Sequence, residues 1–350
     1  MPKNLRHTFR TELITQQKRA KSRDTYKTEK GHKADYYRIY SHRSYELHWK
    51  RAQSFASWLK EQTNVRSMDE ISREIAIQYL IYQRDRGLSA STIGADALMI
   101  NHLMVGSRRW KPEERIIKSQ IADMPKRSYL ERHTKLLTAS EWRERNPEAY
   151  QKFQDEIDTI RAFGLRRRES FSVRSQAKSE GFGPKSVYRR SDGRLEALVR
   201  GKGGKIRFAP VREDLSDRME QLYGKFARPA HTDLLNPDIY RRVMARNRPF
   251  YADLPHSIPA HIFRAEYAQK RLQELDKHSY SGTRTVKAYV RDGHKPDGKW
   301  RWKQTTKTIN LEDTWQVGSY KAQYGAFFEL SKDLGHNRLD VLRHYLGIGR

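Results

Sequence analysis

The 350-residue chain has no cysteine. That excludes disulfides, thiolate metal sites and thiol nucleophiles, and it suits a reducing compartment. Acidic residues are too few to balance the bases: 42 Asp and Glu stand against 70 Lys and Arg, a formal net charge of +28. Such an excess opposes compaction unless a polyanion answers it, and nucleic acid is the first candidate. An acidic membrane surface is the second. Long apolar runs are absent too, and no signal-peptide pattern opens the chain. No membrane partner is therefore expected, and the expected location is the cytoplasm, at the bacterial nucleoid. Aromatic residues are plentiful, with 19 Tyr, 12 Phe and 7 Trp, which a merely disordered basic tail would not carry. The length allows two or three domains, each able to bury a core.

Residues 1–43 are polar, basic and weakly periodic, and predict an N-terminal arm that lies along phosphates. From Ser44 the pattern turns helical. Leu47, Trp49, Phe55, Trp58 and Leu59 mark one amphipathic helix, and Ile71, Ile75, Tyr79 and Leu80 a second. Gly87 ends the second, and Ser89 caps a third that carries Ile93, Leu98, Ile100 and Leu103. These predict a small helical domain over 44–118. Lys50, Arg51, Arg84, Arg86, Arg108 and Arg109 on its loops and polar faces are candidate DNA contacts. Residues 107–137 are basic and punctuated by Pro112 and Pro125, with the interdomain linker placed at 119–137. Thr138-Ala-Ser-Glu141 has the form of a capping box opening a helix, and Tyr150, Phe153, Ile157 and Ile160 carry a helical stripe to Phe163.

Gly164-Leu165-Arg166, followed by Glu169, falls at a helix–helix junction, where a guanidinium can point into a cleft. Short strands follow over 187–211, with a tight turn at Gly201-Lys202-Gly203-Gly204-Lys205. A hairpin turn with Lys at its tip can reach into a groove. It lacks the spacing of a nucleotide-binding P-loop. His261 and Arg264, three apart, share one face of a helix near its N-terminus, where backbone N–H groups also favour an anion. Residues 277–310 predict a basic β-hairpin in which Arg284 and Lys287 are candidate DNA contacts, as is Lys205 in the earlier turn. In the last twenty residues, Leu334, Leu339, Leu342 and Leu346 suggest two short helical pieces meeting at Gly335. His336 follows that Gly, and Tyr345 comes nine residues later.

Taken in order, Gly-Leu-Arg166, Lys202 in a strand turn, His261-x-x-Arg264, Leu334-Gly335-His336 and Tyr345 resemble the tyrosine recombinase (lambda integrase-like) family, in the manner of a phage or mobile-element integrase. The resemblance spans roughly residues 44–345, with every motif inside 138–345. It implies a mainly α fold with a small antiparallel β-sheet. A helical, SAM-like core-binding domain and an α+β catalytic domain over 138–350, with the 277–310 hairpin inserted, would form a C-shaped clamp around DNA. Tyr345 would attack the scissile phosphate and form a 3′-phosphotyrosine, followed by strand exchange and religation with neither metal, ATP nor any other cofactor. Arg166 and Arg264 would grip the non-bridging oxygens. His261 and His336 would add hydrogen bonds, with His261 assisting proton transfer from the nucleophile. Lys202 would be the general acid for the leaving 5′-hydroxyl, with Lys205 its rival. The implied partners are double-stranded DNA attachment sites, further copies of the chain (a dimer on a site, a tetramer in synapsis) and accessory DNA-bending or directionality proteins.

The chain departs from the family's compact members. The gap between Arg264 and His336 is long because of the inserted hairpin, and few residues follow Tyr345, where fraying is expected. A type IB topoisomerase-like nicking–closing enzyme is the alternative within the same chemistry, disfavoured by the Leu-Gly-His element and the small helical domain. A catalytically inactive DNA-binding architectural protein is the non-enzymatic alternative, disfavoured because all the functional residue types are present.

Overall fold

The computed structural model describes residues 4–17, 37–117, 120–123, 137–171, 181–201, 204–252, 254–294, 300–336 and 339–347, with the side chains of 287–292, 294 and 300–304 left aside. The chain divides into two units, residues 1–128 and 129–350. No described helix is long and apolar enough to cross a membrane.

Unit 1 is helical: α1 (Leu5–Thr15), α2 (His42–Gln62), α3 (Arg73–Asp85) and α4 (Ala90–Met104). Each starts at a polar cap. Asn4, Ser41, Ser72 and Ser89 accept a backbone N–H from the first turn, satisfying donors that the helix leaves open. The apolar stripes meet in one core that includes Phe9, Phe55, Leu59, Tyr79, Leu80, Ile93, Ile100 and Leu103. Helix α1 departs from the arm expected over residues 1–43. Leu5, Phe9 and Leu13 recur every four residues and so share one face, and all three are buried, with Phe9 stacked on Phe55 at 5.8 Å. Burying three such side chains is worth roughly 5 kcal/mol before ordering costs, enough to hold a short basic helix on the core. Residues 18–36 of the expected arm, and most of the expected linker at 119–137, lie outside the described residues.

Unit 2 opens at the predicted capping box. Thr138 Oγ1 accepts from the Glu141 N–H at 3.1 Å, and Glu141 accepts from the Thr138 N–H at 2.7 Å. Helices α5 (Ala139–Arg145), α6 (Pro147–Lys152) and α7 (Gln154–Phe163) lead to the four-residue α8 (Arg167–Ser170). Then come β1 (Val187–Arg189), β2 (Leu195–Arg200) and β3 (Ile206–Pro210), close to the predicted strands. A two-residue β4 (Arg228–Pro229) pairs parallel with β1, making a sheet of order β3-β2-β1-β4. Helices α9 (Ser216–Tyr223), α10 (Pro237–Met244) and α11 (Ala260–Leu275) pack around it. The hairpin expected at 277–310 is β5 (Thr283–His294) with β6 (Trp300–Asn310), paired antiparallel from Thr283↔Asn310. A second hairpin, β7 (Thr314–Val317) with β8 (Tyr320–Gln323), was not expected. Helices α12 (Tyr324–Asp333) and α13 (Arg343–Leu346) complete the fold. The architecture is mainly α with small sheets, and the core around α11 joins Tyr267, Ala268 and Leu272 to Phe327, Leu334, Leu342 and Leu346.

Candidate active site

The site lies where α7, β3, α11 and the end of α12 converge. Gly164 takes φ +58 and closes α7 in the left-handed region, a conformation that suits glycine. A Cβ there would also lie 2.3 Å from the Tyr267 ring. The chain turns at once, and Arg166 becomes the N-cap of α8. Glu169 reaches back to accept both the Arg166 N–H (2.9 Å) and Arg166 Nη1 (2.6 Å).

His336 is placed by the end of α12. Gly335 has φ +73, its N–H donates to the Lys332 carbonyl at 2.7 Å, and the His336 N–H donates to the Ser331 carbonyl at 2.8 Å. This Schellman termination turns Leu334-Gly335-His336 away from the helix and leaves the Asp333 and Leu334 carbonyls open. Three guanidiniums fill them. Arg207 Nε donates to Asp333 O at 2.8 Å, Arg264 Nη2 to Leu334 O at 2.6 Å, and Arg166 Nη2 to Leu334 O at 3.4 Å. The negative end of a helix dipole suits cations there.

One carboxylate serves the cluster. Glu169 accepts from Arg207 Nη2 at 2.9 Å and stands 3.7 Å from Arg264 Nη1. Burial alone would raise its pKa, but the charges of Arg207, Arg264 and Arg166, with the Arg207 hydrogen bond, hold it well below the usual carboxylate range. Arg264 is 1% exposed, and burial lowers its pKa against the opposing pull of Tyr345 and Glu169. Its Nη1 also donates to the Gly164 carbonyl.

Tyr345 is docked where fraying was expected. It is 6% exposed, because Leu342 and Leu346 on either side of it enter the core. Its hydroxyl lies 3.2 Å from Arg264 Nε and 3.0 Å from His336 Nε2, which in turn is 3.1 Å from Arg166 Nη2. A guanidinium only donates, so the Arg166 contact calls for a lone pair on Nε2 and places the imidazole proton on Nδ1. The Tyr345 hydroxyl then accepts from Arg264 and shares the single Nε2 lone pair of His336 with Arg166. His261 is exposed at the start of α11, with its ring centroid 5.3 Å from that of Tyr345. Arg166, Arg167, His256, His261, Arg264 and Tyr345 line an open cleft of about 380 Å³.

Lys202 lies outside the described residues. Its turn is closed by the Gly201 N–H donating to the Lys205 carbonyl at 2.7 Å. A Cβ on Gly201 would be 3.0 Å from Glu169 Oε1 and 3.4 Å from Arg166 Nη1, so the missing side chain brings this turn against the cluster. Burial, and then the charges of Arg207 and Lys332, lower the pKa of Lys205.

The other candidate DNA contacts each lie within their own unit. In unit 1, Arg51 pairs with Asp96, Arg84 with Asp85, and Arg109 with Glu12 and Asp69. Lys50, Arg86 and Arg108 are exposed. Arg284 is exposed and lies over the Phe328 ring at 4.6 Å, and the Lys287 side chain falls outside the description. Among the described residues, no group of three or more His, Asp or Glu stands together to hold a metal ion.

Sequence reading passed over Arg167 and Arg207. Arg167 donates to the carbonyls of Leu254, Pro255 (2.8 Å) and Ile258 (3.0 Å), tying down the segment that enters α11. Arg207 carried a usable signal: it alternates with buried Ala209 on β3 and faces Val199, so the period-two rule puts it on an inward face.

No protein-family model and no curated protein matches the chain. Among solved structures, it is similar to a Tn1549 transposon integrase in complex with a circular intermediate DNA, at 13% identity and TM-score 0.42, covering 96% of this chain and 94% of that one. A second Tn1549 integrase structure, with transposon right end DNA, aligns at 14% identity and TM-score 0.40 over 76% of this chain and 87% of that one. XerA recombinase aligns at 9% identity and TM-score 0.24 over 97% of this chain and 93% of that one.

Proposed function

We propose that the chain is a tyrosine recombinase, a site-specific enzyme that cuts and rejoins double-stranded DNA through a covalent phosphotyrosine. One observation carries the reading: the Tyr345 hydroxyl is held between Arg264 Nε and His336 Nε2, with Arg166 on the same imidazole. A phenol with pKa about 10 needs a base and a cationic surround to become a nucleophile, and this arrangement supplies both.

Three of the five N–H groups of Arg264 donate to Tyr345 and two carbonyls. A scissile phosphate entering the cleft takes the Arg264 Nε donor from the tyrosine oxygen, and Arg166 holds the other non-bridging oxygen. Tyr345 Oη then attacks phosphorus while its proton passes to His336 Nε2. The P–O5′ bond breaks, the 3′-phosphoryl stays on Tyr345, and the 5′-oxygen takes a proton from a lysine of the Gly201–Lys205 turn. His336 is better placed than His261 for the first transfer, and His261 serves as a donor to the phosphate. Arg166, Arg264 and the two histidines meet the charge that develops on the pentavalent phosphorus. Rejoining runs the same steps backwards with a new 5′-hydroxyl. Paired exchange requires further copies of the chain on paired DNA sites.

The test uses a nicked suicide duplex whose sequence the protein has selected from a randomised library. The wild type should form an adduct that resists denaturation and maps to the peptide of Tyr345. Tyr345→Phe should bind the duplex with unchanged affinity and form none. An adduct surviving that change places the nucleophile elsewhere. A 5′-bridging phosphorothiolate, whose leaving group needs no proton, should restore Lys202→Ala if Lys202 is the acid and Lys205→Ala if Lys205 is. Restoration of neither places the acid outside the turn.

A further inference from the structure

Arg207 is buried at the centre of the cluster, 5% exposed, yet the chemistry above gives it no step. Two of its nitrogens bridge two parts of the site. Nε donates to the Asp333 carbonyl at 2.8 Å, at the helix end that presents His336, and Nη2 donates to Glu169 Oε2 at 2.9 Å, the carboxylate that holds Arg166. The third, Nη1, is buried with no acceptor. It fits between two glycines. A Cβ on Gly201 would be 3.6 Å from Nη1, and a Cβ on Gly335 would be 3.4 Å from Nη1 and 3.0 Å from Cδ. Gly201 opens the lysine-bearing turn and Gly335 precedes His336, so one guanidinium touches the lysine-bearing turn, the loop of His336 and the carboxylate that holds Arg166.

A buried donor without an acceptor is a cost that folded chains rarely keep without a reason. A stable fold alone would be served as well by an apolar side chain over Ala209 and Val199. What an apolar residue cannot do is fix Glu169 and the end of α12 at one spacing. A planar guanidinium does this with a rigid fork, and a lysine, with one point of donation, does it poorly.

Resting on the recombinase reading, we infer that Arg207 is a positioning residue for strand transfer: anchored on the Asp333 carbonyl, it fixes Glu169 and through it sets the phosphate-gripping Arg166. Arg207 touches no DNA in this role. Its effect travels through Arg166, whose task is to neutralise charge on the phosphate oxygens.

The experiment measures single-turnover adduct formation on the selected suicide duplex, made with either a phosphodiester or a methylphosphonate at the mapped scissile position. The methylphosphonate carries no charge, so the placement of Arg166 matters less. Arg207→Gln should slow phosphodiester cleavage by about 10²-fold, comparable to removing one oxyanion donor, and stay within about 3-fold of wild type on the methylphosphonate. Duplex affinity should hold within about 2-fold, since no phosphate contact is lost. Arg207→Lys, which keeps the charge, should lie between wild type and Arg207→Gln on the phosphodiester. An equal loss on both substrates assigns Arg207 to the fold alone and overturns the inference, as does an unaltered phosphodiester rate. If Arg207→Gln does not fold, Arg207→Lys decides: selective loss on the phosphodiester supports the role, and a wild-type rate overturns it. A wild type that forms no adduct on either substrate refutes the recombinase reading instead, so the two failures are told apart.

Discussion

The two units treat buried charge in opposite ways. Among the described residues of unit 1, the buried Asp96 and the half-buried Arg109 are paired, and two packed histidines are held neutral. Asp96 meets Arg51 and Gln83, Arg109 joins Glu12 to Asp69, and the rings of His48 and His102 pack 4.5 Å apart. Burial, with Arg51 near one histidine and the other histidine near its partner, lowers both to about 4, so both are neutral at pH 7. In the site of unit 2, Arg166, Arg207 and Arg264 share Glu169. Closed pairs hold a fold in register, whereas a cluster two carboxylates short is preorganised for an anion. Elsewhere unit 2 follows the pattern of unit 1, with Arg161 set between Asp158 and Glu266. The imbalance is therefore local to the cleft and is not a by-product of a basic composition.

The hardest break of this contrast is to remove the one carboxylate. Glu169→Ala leaves three guanidiniums, two of them buried, facing one another, and taking one partner from a buried pair costs about 3–5 kcal/mol. Denaturant unfolding, with hydrogen exchange to read unit 2 separately, should show that loss in unit 2 and none in unit 1. Glu169→Gln, which keeps the shape and loses the charge, should cost less. An unchanged unit 2 midpoint in Glu169→Ala would mean that the helix end alone holds the cations.

The next break falls on unit 1. The folded-state values of His48 and His102 lie below the unfolded value of about 6.5. Their contribution to stability is complete above that value and lost as the pH falls towards about 4. Protonation should cost up to about 3 kcal/mol per histidine. Unit 1 should weaken between pH 6.5 and 4, while unit 2 does not, because Glu169 stays ionised below that window and Glu196, raised to about 7 by burial, adds stability as it takes up a proton. His48→Phe should flatten part of the slope, and an identical pH profile in both units would show that the paired rings do not control it.

These contrasts also mark how far the sequence could be read. The helices of unit 1 were legible because Phe55, Leu59, Ile93 and Ile100 repeat at the helical period behind serine caps. The capping box at Thr138 and the inserted hairpin were legible for similar local reasons. Helix α1 was obscured because Leu5, Phe9 and Leu13 sit among basic residues that drew attention to charge. Strand β4 is two residues long and one of them is proline, which leaves no periodic signal. In the site, the family resemblance singled out Arg166, His261, Arg264, His336 and Tyr345, and the structure sets Arg264 and His336 on the Tyr345 hydroxyl, Arg166 on the His336 ring and His261 beside the Tyr345 ring. The partners escaped notice because pairing is non-local. Nothing near Arg207 in sequence announces Glu169 or Asp333, and nothing near Arg51 announces Asp96. The docking of Tyr345 was likewise hidden, since it depends on Leu342 and Leu346 meeting a core built mainly by α11 and α12.

The finest test of the contrast concerns surface arginines that composition cannot tell apart. Arg109 is paired with Glu12 and Asp69, whereas Arg86 and Arg108 are exposed and have no carboxylate partner among the described residues. If the closed pairs of unit 1 serve the fold, Arg109→Ala should cost up to about 1 kcal/mol of unit 1 stability, as partly exposed pairs do, and leave duplex affinity nearly unchanged. Arg86→Ala and Arg108→Ala should leave stability alone. If these residues meet phosphates, each change should lower the slope of log affinity against log salt by about one, the release of one counterion. Fluorescence anisotropy on a random-sequence duplex over a potassium chloride series reads that slope directly. A slope that falls for Arg109→Ala and not for the other two would show that the ion pairs open on DNA, and the division between fold charges and contact charges in unit 1 would have to be redrawn.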